Sequence, residues 1–267
     1  MLEQEQIIRK VTGIGNGAHI FAPKEWMGEE VFVVRRQKKS IKERILSAIE
    51  PYLEHIEGAY LYGSYARKEQ TKDSDIDLLL ITSKKLKIKR QGYEIISIEK
   101  EKVQEAIKIA PVLVYSALSE AVPIINIKLL EELKSKYAPK LSDFKEFLES
   151  TKRIILINEQ FLEEDKRNEI KEESENIPYS LILRVRGILI INSLLSGKSY
   201  SHKDFHNWIK KSSPGIDYNS LYDAYKAVKN NKKAKVKVKD LVLLIEFLKE
   251  QVKILESRLY GKKRKTP

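Results

Sequence analysis

The chain has 267 residues, enough to bury a sizeable core; a third of them are charged and the formal net charge is +12. It has no cysteine, which excludes disulfides, thiol nucleophiles and sulfur-ligated zinc. No secretory h-region opens it, and its most apolar run, residues 181–195, contains Arg184 and Arg186, too short and too charged to span a bilayer, so a cytoplasmic protein is expected.

The basic balance suits polyanionic partners, and abundant Lys, Glu and Ile with two methionines has a thermophilic cast. Residues 7–37 form the first unit. Its β-prone runs (7–11, 19–22, 31–34) are separated by Gly13, by Gly15-Asn16-Gly17 and by residues 23–28. Gly15 and Gly17 read as hairpin glycines, because the strand–loop–helix context of a nucleotide loop is missing. Trp26 reads as a packing anchor. Residues 38–58 have helical periodicity (Ile41, Ile45, Ala48, Ile49), with Ser40 as N-cap and Pro51 kinking or ending the helix.

Residues 59–82, AYLYGSYARKEQTKDSDIDLLLIT, organise the rest. They predict a strand (59–62), a Gly63-Ser64 turn, a polar helical turn, a loop and a second strand (76–82). Alternation puts Asp75 and Asp77 on one face with Leu79 and Ile81, and Ile76, Leu78 and Leu80 on the other. A strand apolar on both faces is interior to a sheet. Two acids at its mouth repel and are costly to desolvate unless a cation sits between them. Magnesium is the natural candidate, since it takes carboxylates together with substrate phosphates. Gly63 lets a phosphate approach the backbone, and the Ser64 hydroxyl and nearby N–H groups offer it donors.

Residues 83–90 carry five basic side chains (Lys84, Lys85, Lys87, Lys89, Arg90), either a solvated loop or an attraction for a triphosphate or RNA. A third strand, 92–98, bears Glu94; Glu99, at its end, is the rival acid. Helices follow at 99–109, 112–119 and 127–137, with a short strand at 122–125 between the last two. From Ser142 the chain reads as entirely helical. The first long helix is capped by Ser142 and striped by Phe144, Leu148, Ile154, Ile155 and Phe161, and a charged linker (163–175) follows. An apolar helix, 179–195, is ended by Gly197. Arg184 and Arg186 lie about 200° apart on it, so they pair with linker glutamates or reach a phosphate singly. His202 and His206 share a face of a short helix, a metal pair with no third ligand placed. A helix at 221–229, a lysine run at 232–239 and a last helix at 241–259 lead to the basic tail, residues 261–265. Lys232, Lys233, Lys235, Lys237, Lys239 and that tail are candidate RNA contacts, or else a solvated hinge and a frayed terminus.

Gly63-Ser64, ten intervening residues and Asp75-x-Asp77 on a strand resemble the active-site signature of the DNA polymerase β-type nucleotidyltransferases. The spacing is that of their minimal branch, over about residues 38–138. The resemblance implies an α/β (α+β) core with a mixed sheet, preceded by a β-hairpin module (1–37) and followed by an all-α domain (139–267). It implies that Asp75, Asp77 and Glu94, the last in an apolar–acid–apolar triplet, hold two Mg2+ ions. Gly63 and Ser64 would hold the β- and γ-phosphates, and Arg67 or Lys68 would neutralise the leaving pyrophosphate. The activity implied is transfer of a nucleoside monophosphate from a nucleoside triphosphate, ATP by default, to a hydroxyl of a protein, RNA or small molecule, with macromolecules favoured. Residues 7–37 are similar to swapped-hairpin AbrB-type modules, which implies a homodimer. The alternative is an antitoxin-like or DNA-binding regulator in which the nucleotidyltransferase fold is a scaffold. The helical half invites comparison with the HEPN ribonucleases of toxin–antitoxin pairs. It lacks their Arg with a His four to six residues on, so that activity is not expected.

Overall fold

A mixed four-stranded sheet carries the middle of the chain in the computed structural model, which describes residues 5–34, 39–72, 74–170, 172–174 and 179–261. Residues 35–38, part of the expected hairpin module and the start of the expected catalytic domain, lie outside this set. So do Lys171, Glu175 and the basic tail from Lys262 onward. The chain divides into two units, Met1–Arg44 and Ile45–Pro267, so the boundary expected near residue 138 falls inside the second.

The first unit holds a hairpin, β1 (Thr12–Ile14) and β2 (Gly17–His19), closed by Gly15 and Asn16. Gly15 has φ +51°, the left-handed backbone that a two-residue loop of the II′ pattern requires at its first position. The expected strands at 7–11 and 31–34 are absent, and the third is displaced. A two-residue loop pairs the residues directly beside it, and nothing among the described residues pairs with 31–34. Trp26, in a 3-10 turn (Lys24–Trp26), is half-buried and donates from Nε1 to Glu5 at 3.4 Å.

α1 (Ile41–Ile49) opens on a capping box: the Ser40 hydroxyl accepts from Glu43 N–H at 3.2 Å, and Glu43 accepts from Ser40 N–H at 2.7 Å. A 3-10 segment containing Pro51 follows it (Glu50–His55). Then come β3 (Ile56–Tyr62), α2 (Gly63–Ala66), β4 (Ile76–Thr82) and β5 (Tyr93–Glu99). β4 pairs antiparallel with β3 and parallel with β5, which makes it interior, as its two apolar faces require. α3 (Val103–Ile109) and α4 (Pro111–Glu120) meet at Pro111, which starts the second helix, where its missing N–H costs nothing. β6 (Val122–Ile125) closes the sheet against β3, and α5 (Ile127–Lys136) follows.

α6 (Lys145–Arg167), α7 (Tyr179–Leu195), α8 (His202–Ser212), α9 (Tyr218–Lys229) and α10 (Val238–Tyr260) complete the fold. A two-residue pair, β7 (Glu173–Ser174) with β8 (Val236–Lys237), interrupts the expected all-helical run. Ser142 is not the cap of α6. It lies in a preceding 3-10 turn (Leu141–Phe144), whose Asp143 carboxylate accepts from Lys140 N–H at 2.9 Å. Phe161 is exposed, and Leu162 continues the buried stripe of Phe144, Leu148 and Ile155.

The two faces of the sheet do different things. Ile76, Leu78, Leu80, Ala59 and Leu61 are buried on one. Tyr60, Tyr62, Leu79 and Ile81, on the other, join one continuous apolar core with side chains from α3–α10. The helical half therefore covers the face that carries Asp77. Among the described residues no helix is long and apolar enough to cross a membrane.

Candidate active site

β3 turns into α2 at Gly63, the tightest point of the site. Gly63 has φ +70°, and a Cβ there would lie 1.9 Å from Asp77 Oδ2. The turn thus needs glycine twice over, for its backbone angle and for the carboxylate lying against it. Asp77 is directly opposite Tyr62 on β3 and Glu94 on β5, so the three side chains stand in a row across the mouth of the sheet.

Burial, then the Glu94 charge, pushes the Asp77 carboxyl up to about 6, while the Ser64 backbone amide, Lys229 and Arg67 pull it down. The Tyr62 phenol is pushed up by burial, then by Asp77, Glu94 and Glu120. Asp75 sits half-buried just before β4, and Ser64 is half-buried in the first turn of α2. Glu99 pairs in register with Thr82 at the far end of the strand and binds Lys102 at 2.9 Å, away from Asp77.

Arg67 is held rather than free. Its Nε donates to Glu69 at 2.8 Å, its Nη1 donates to Glu120, and its guanidinium lies 5.2 Å over the Tyr200 ring. Glu120 is almost fully buried and also accepts from Gly63 N–H at 3.2 Å and from the Ser116 hydroxyl at 3.0 Å. One carboxylate therefore ties the glycine turn to the arginine. Sequence reasoning misses Glu120; its only signal is being the sole charged residue of α4, an acid that burial obliges to find donors. Tyr62 and Lys229 are missed as well. Tyr62 is recoverable from strand alternation, whereas Lys229 reaches Asp77 only through packing.

Two expectations in the helical half change. Arg184 donates to the Ser150 hydroxyl at 2.9 Å and Arg186 lies 5.3 Å over Tyr200, and neither pairs with a linker glutamate among the described residues. Packing of α7 inside the core turns both toward neighbouring helices. His202 Nε2 meets the Tyr218 hydroxyl at 3.2 Å and His206 packs on the Tyr218 ring, so the pair serves aromatic packing.

No group of three His, Cys, Asp or Glu side chains among the described residues is arranged to hold a metal ion. The acids at the sheet mouth nevertheless suit magnesium, which keeps several waters and needs only one or two carboxylates beside substrate phosphates. Asp77 and Glu94 are adjacent, and the burial opposing the Asp77 charge is what a bound cation would offset.

A comparison with curated proteins finds no match. A nucleotidyltransferase-like protein from Exiguobacterium sibiricum 255-15 aligns over 85% of this chain and 82% of its own, at 12% identity and a TM-score of 0.35, too low to bear on the fold. Residues 43–167 match the family model described as polymerase beta, nucleotidyltransferase, and that stretch includes Gly63, Asp77, Glu94 and Glu120. That stretch is just under half of the chain, and over it the chain is similar to the polymerase β-type nucleotidyltransferases.

Proposed function

We propose that the chain moves a nucleoside monophosphate, AMP by preference, from a nucleoside triphosphate to an acceptor hydroxyl and releases pyrophosphate. The observation that carries this is the Asp77 carboxylate, set beside Glu94 and laid against a glycine turn. Asp75, Asp77 and Glu94 would hold magnesium, two ions in the full site; bound there, the metal neutralises triphosphate charge and acidifies the acceptor hydroxyl.

The chain's own groups do the rest. Gly63 lets the turn close against the Asp77 carboxylate, and the Ser64 hydroxyl beside it orients the β- and γ-phosphates. Glu120 and Glu69 lock Arg67 in place, so the turn keeps its shape as the ligand arrives. Glu94, exposed at the mouth, receives the acceptor proton. The acceptor oxygen bonds to the α-phosphorus as the bond to the pyrophosphate oxygen breaks.

The test is incubation with Mg2+ and each α-labelled nucleoside triphosphate, with cell extract split into protein and RNA fractions. The wild-type protein should leave label in one fraction. Asp77→Asn should lower that transfer on the order of a thousandfold. Near-normal turnover in the variant would overturn the proposal.

A further inference from the structure

A cavity of about 350 Å³ opens on α8 and α9, lined by His202, Lys203, His206, Tyr218, Tyr222 and Lys226 among others. Its wall is aromatic in an ordered way. Tyr218, Tyr222 and Tyr225 follow one face of α9 and stack in series, Tyr218 on Tyr222 at 5.6 Å and Tyr222 on Tyr225 at 5.8 Å, with Tyr179 continuing the stack at 5.1 Å. The His202 ring lies 4.5 Å from Tyr222, and the Lys226 ammonium sits 4.4 Å over the same ring. Burial pulls the His202 imidazole below its ordinary value.

The same face runs toward the active site. Lys226 and Lys229 are exposed on it, one and two turns beyond Tyr222, and the Lys229 charge reaches Asp77. Exposed Lys232 and Lys233 extend the basic edge past the end of the helix. At 1.5 Å per residue the Tyr222 level stands about 10 Å along α9 from Lys229. That set-back suits a residue one step inside a chain end rather than the reacting end itself.

We propose that this cavity is an acceptor site for single-stranded RNA, holding a base near the 3′ end on Tyr222 while Lys226 and Lys229 take the flanking phosphates. The proposal rests on the nucleotidyl-transfer reading above and names its acceptor. A flat base stacks on an aromatic face whatever its identity, and the adjoining ammonium groups match the phosphate on either side of it. Laid on Tyr222, the base would take the place of the Lys226 ammonium over the ring and leave that ammonium beside its phosphate. The base of the donor triphosphate has the same chemistry and is the competing source.

Binding without turnover separates these possibilities. A 5′-fluorescein-labelled RNA of about 12 nucleotides is titrated with the full chain in EDTA, followed by anisotropy, alongside a fluorescent non-hydrolysable nucleoside triphosphate analogue in Mg2+. Tyr222→Leu and Lys226→Ala should each weaken RNA binding at least about tenfold, leaving the analogue unaffected. Lys226→Ala should also flatten the slope of log K against log salt by about 0.7. Lys226 is exposed, so its variant folds even if the tyrosine variant does not. Asp77→Asn should bind RNA as the wild type does, so the site is tested even if transfer fails. Unchanged RNA affinity in Lys226→Ala, or weakened binding of the analogue instead of RNA, overturns the proposal.

Discussion

Asp77 and Gly63 are a matched pair, and each makes a testable demand. Alanine at 63 must adopt a left-handed backbone, costing at least about 1–2 kcal/mol, and must displace the carboxylate lying where its methyl group would go. Gly63→Ala should therefore lower the urea midpoint and abolish transfer together. Asp77 has the opposite effect on stability. Its carboxyl titrates near 6 in the fold, against an ordinary value of 3.8, so the folded chain holds an extra proton between those limits. The contribution of this one carboxyl to stability is then fullest below pH 4 and is lost as pH rises through 6. Asp77→Asn should gain about 1–2 kcal/mol at pH 7.5 in EDTA, after allowing for solvent at the carboxylate, and the gain should vanish near pH 4. Melting curves across that range read it directly. Glu120→Ala would orphan the Gly63 N–H and strip Arg67 of a partner, a loss of about 3–5 kcal/mol seen as an early denaturation midpoint.

Elements whose residues share one periodic pattern are legible in the amino-acid order alone. β4 runs over 76–82 and α7 over 179–195, both as expected, because a doubly apolar strand and a long apolar helix have few alternatives. α1 is similar, and Ser40→Ala should remove about 1 kcal/mol with its cap, measurable as a lower melting temperature. Elements that depend on a partner elsewhere are not legible in this way. Residues 7–11 and 31–34 have β-forming side chains but no described strand to pair with, so propensity alone misleads. The expected stripe of α6 takes in Phe161 although its neighbour Leu162 faces the core, a one-residue drift that a long helix accumulates. Within the site, the acids and the glycine turn are legible because they lie close in sequence. Glu120 and Lys229 are not, since only packing of α4 and α9 brings them near Asp77.

One apolar interior runs from Tyr60 in β3 to Leu255 in α10, so residues 45–267 should unfold in a single step. Calorimetry resolving two transitions within that stretch would contradict it. The first unit shows the reverse character: Ile8, Met27, Phe32, Val33 and Val34 are exposed, more apolar surface than a solitary module usually presents. The expected homodimer should form there. Light scattering should then give twice the 31.0 kDa chain mass, falling to a single mass when residues 1–38 are removed.

Glu69 has a role beyond its ion pair. One of its oxygens takes Arg67 and the other takes the His202 N–H at 3.0 Å, at the first residue of α8. That amide is a reporter wired to the glycine turn, so deuterium uptake at residue 202 should quicken in Glu69→Ala and slow when a triphosphate fixes the turn.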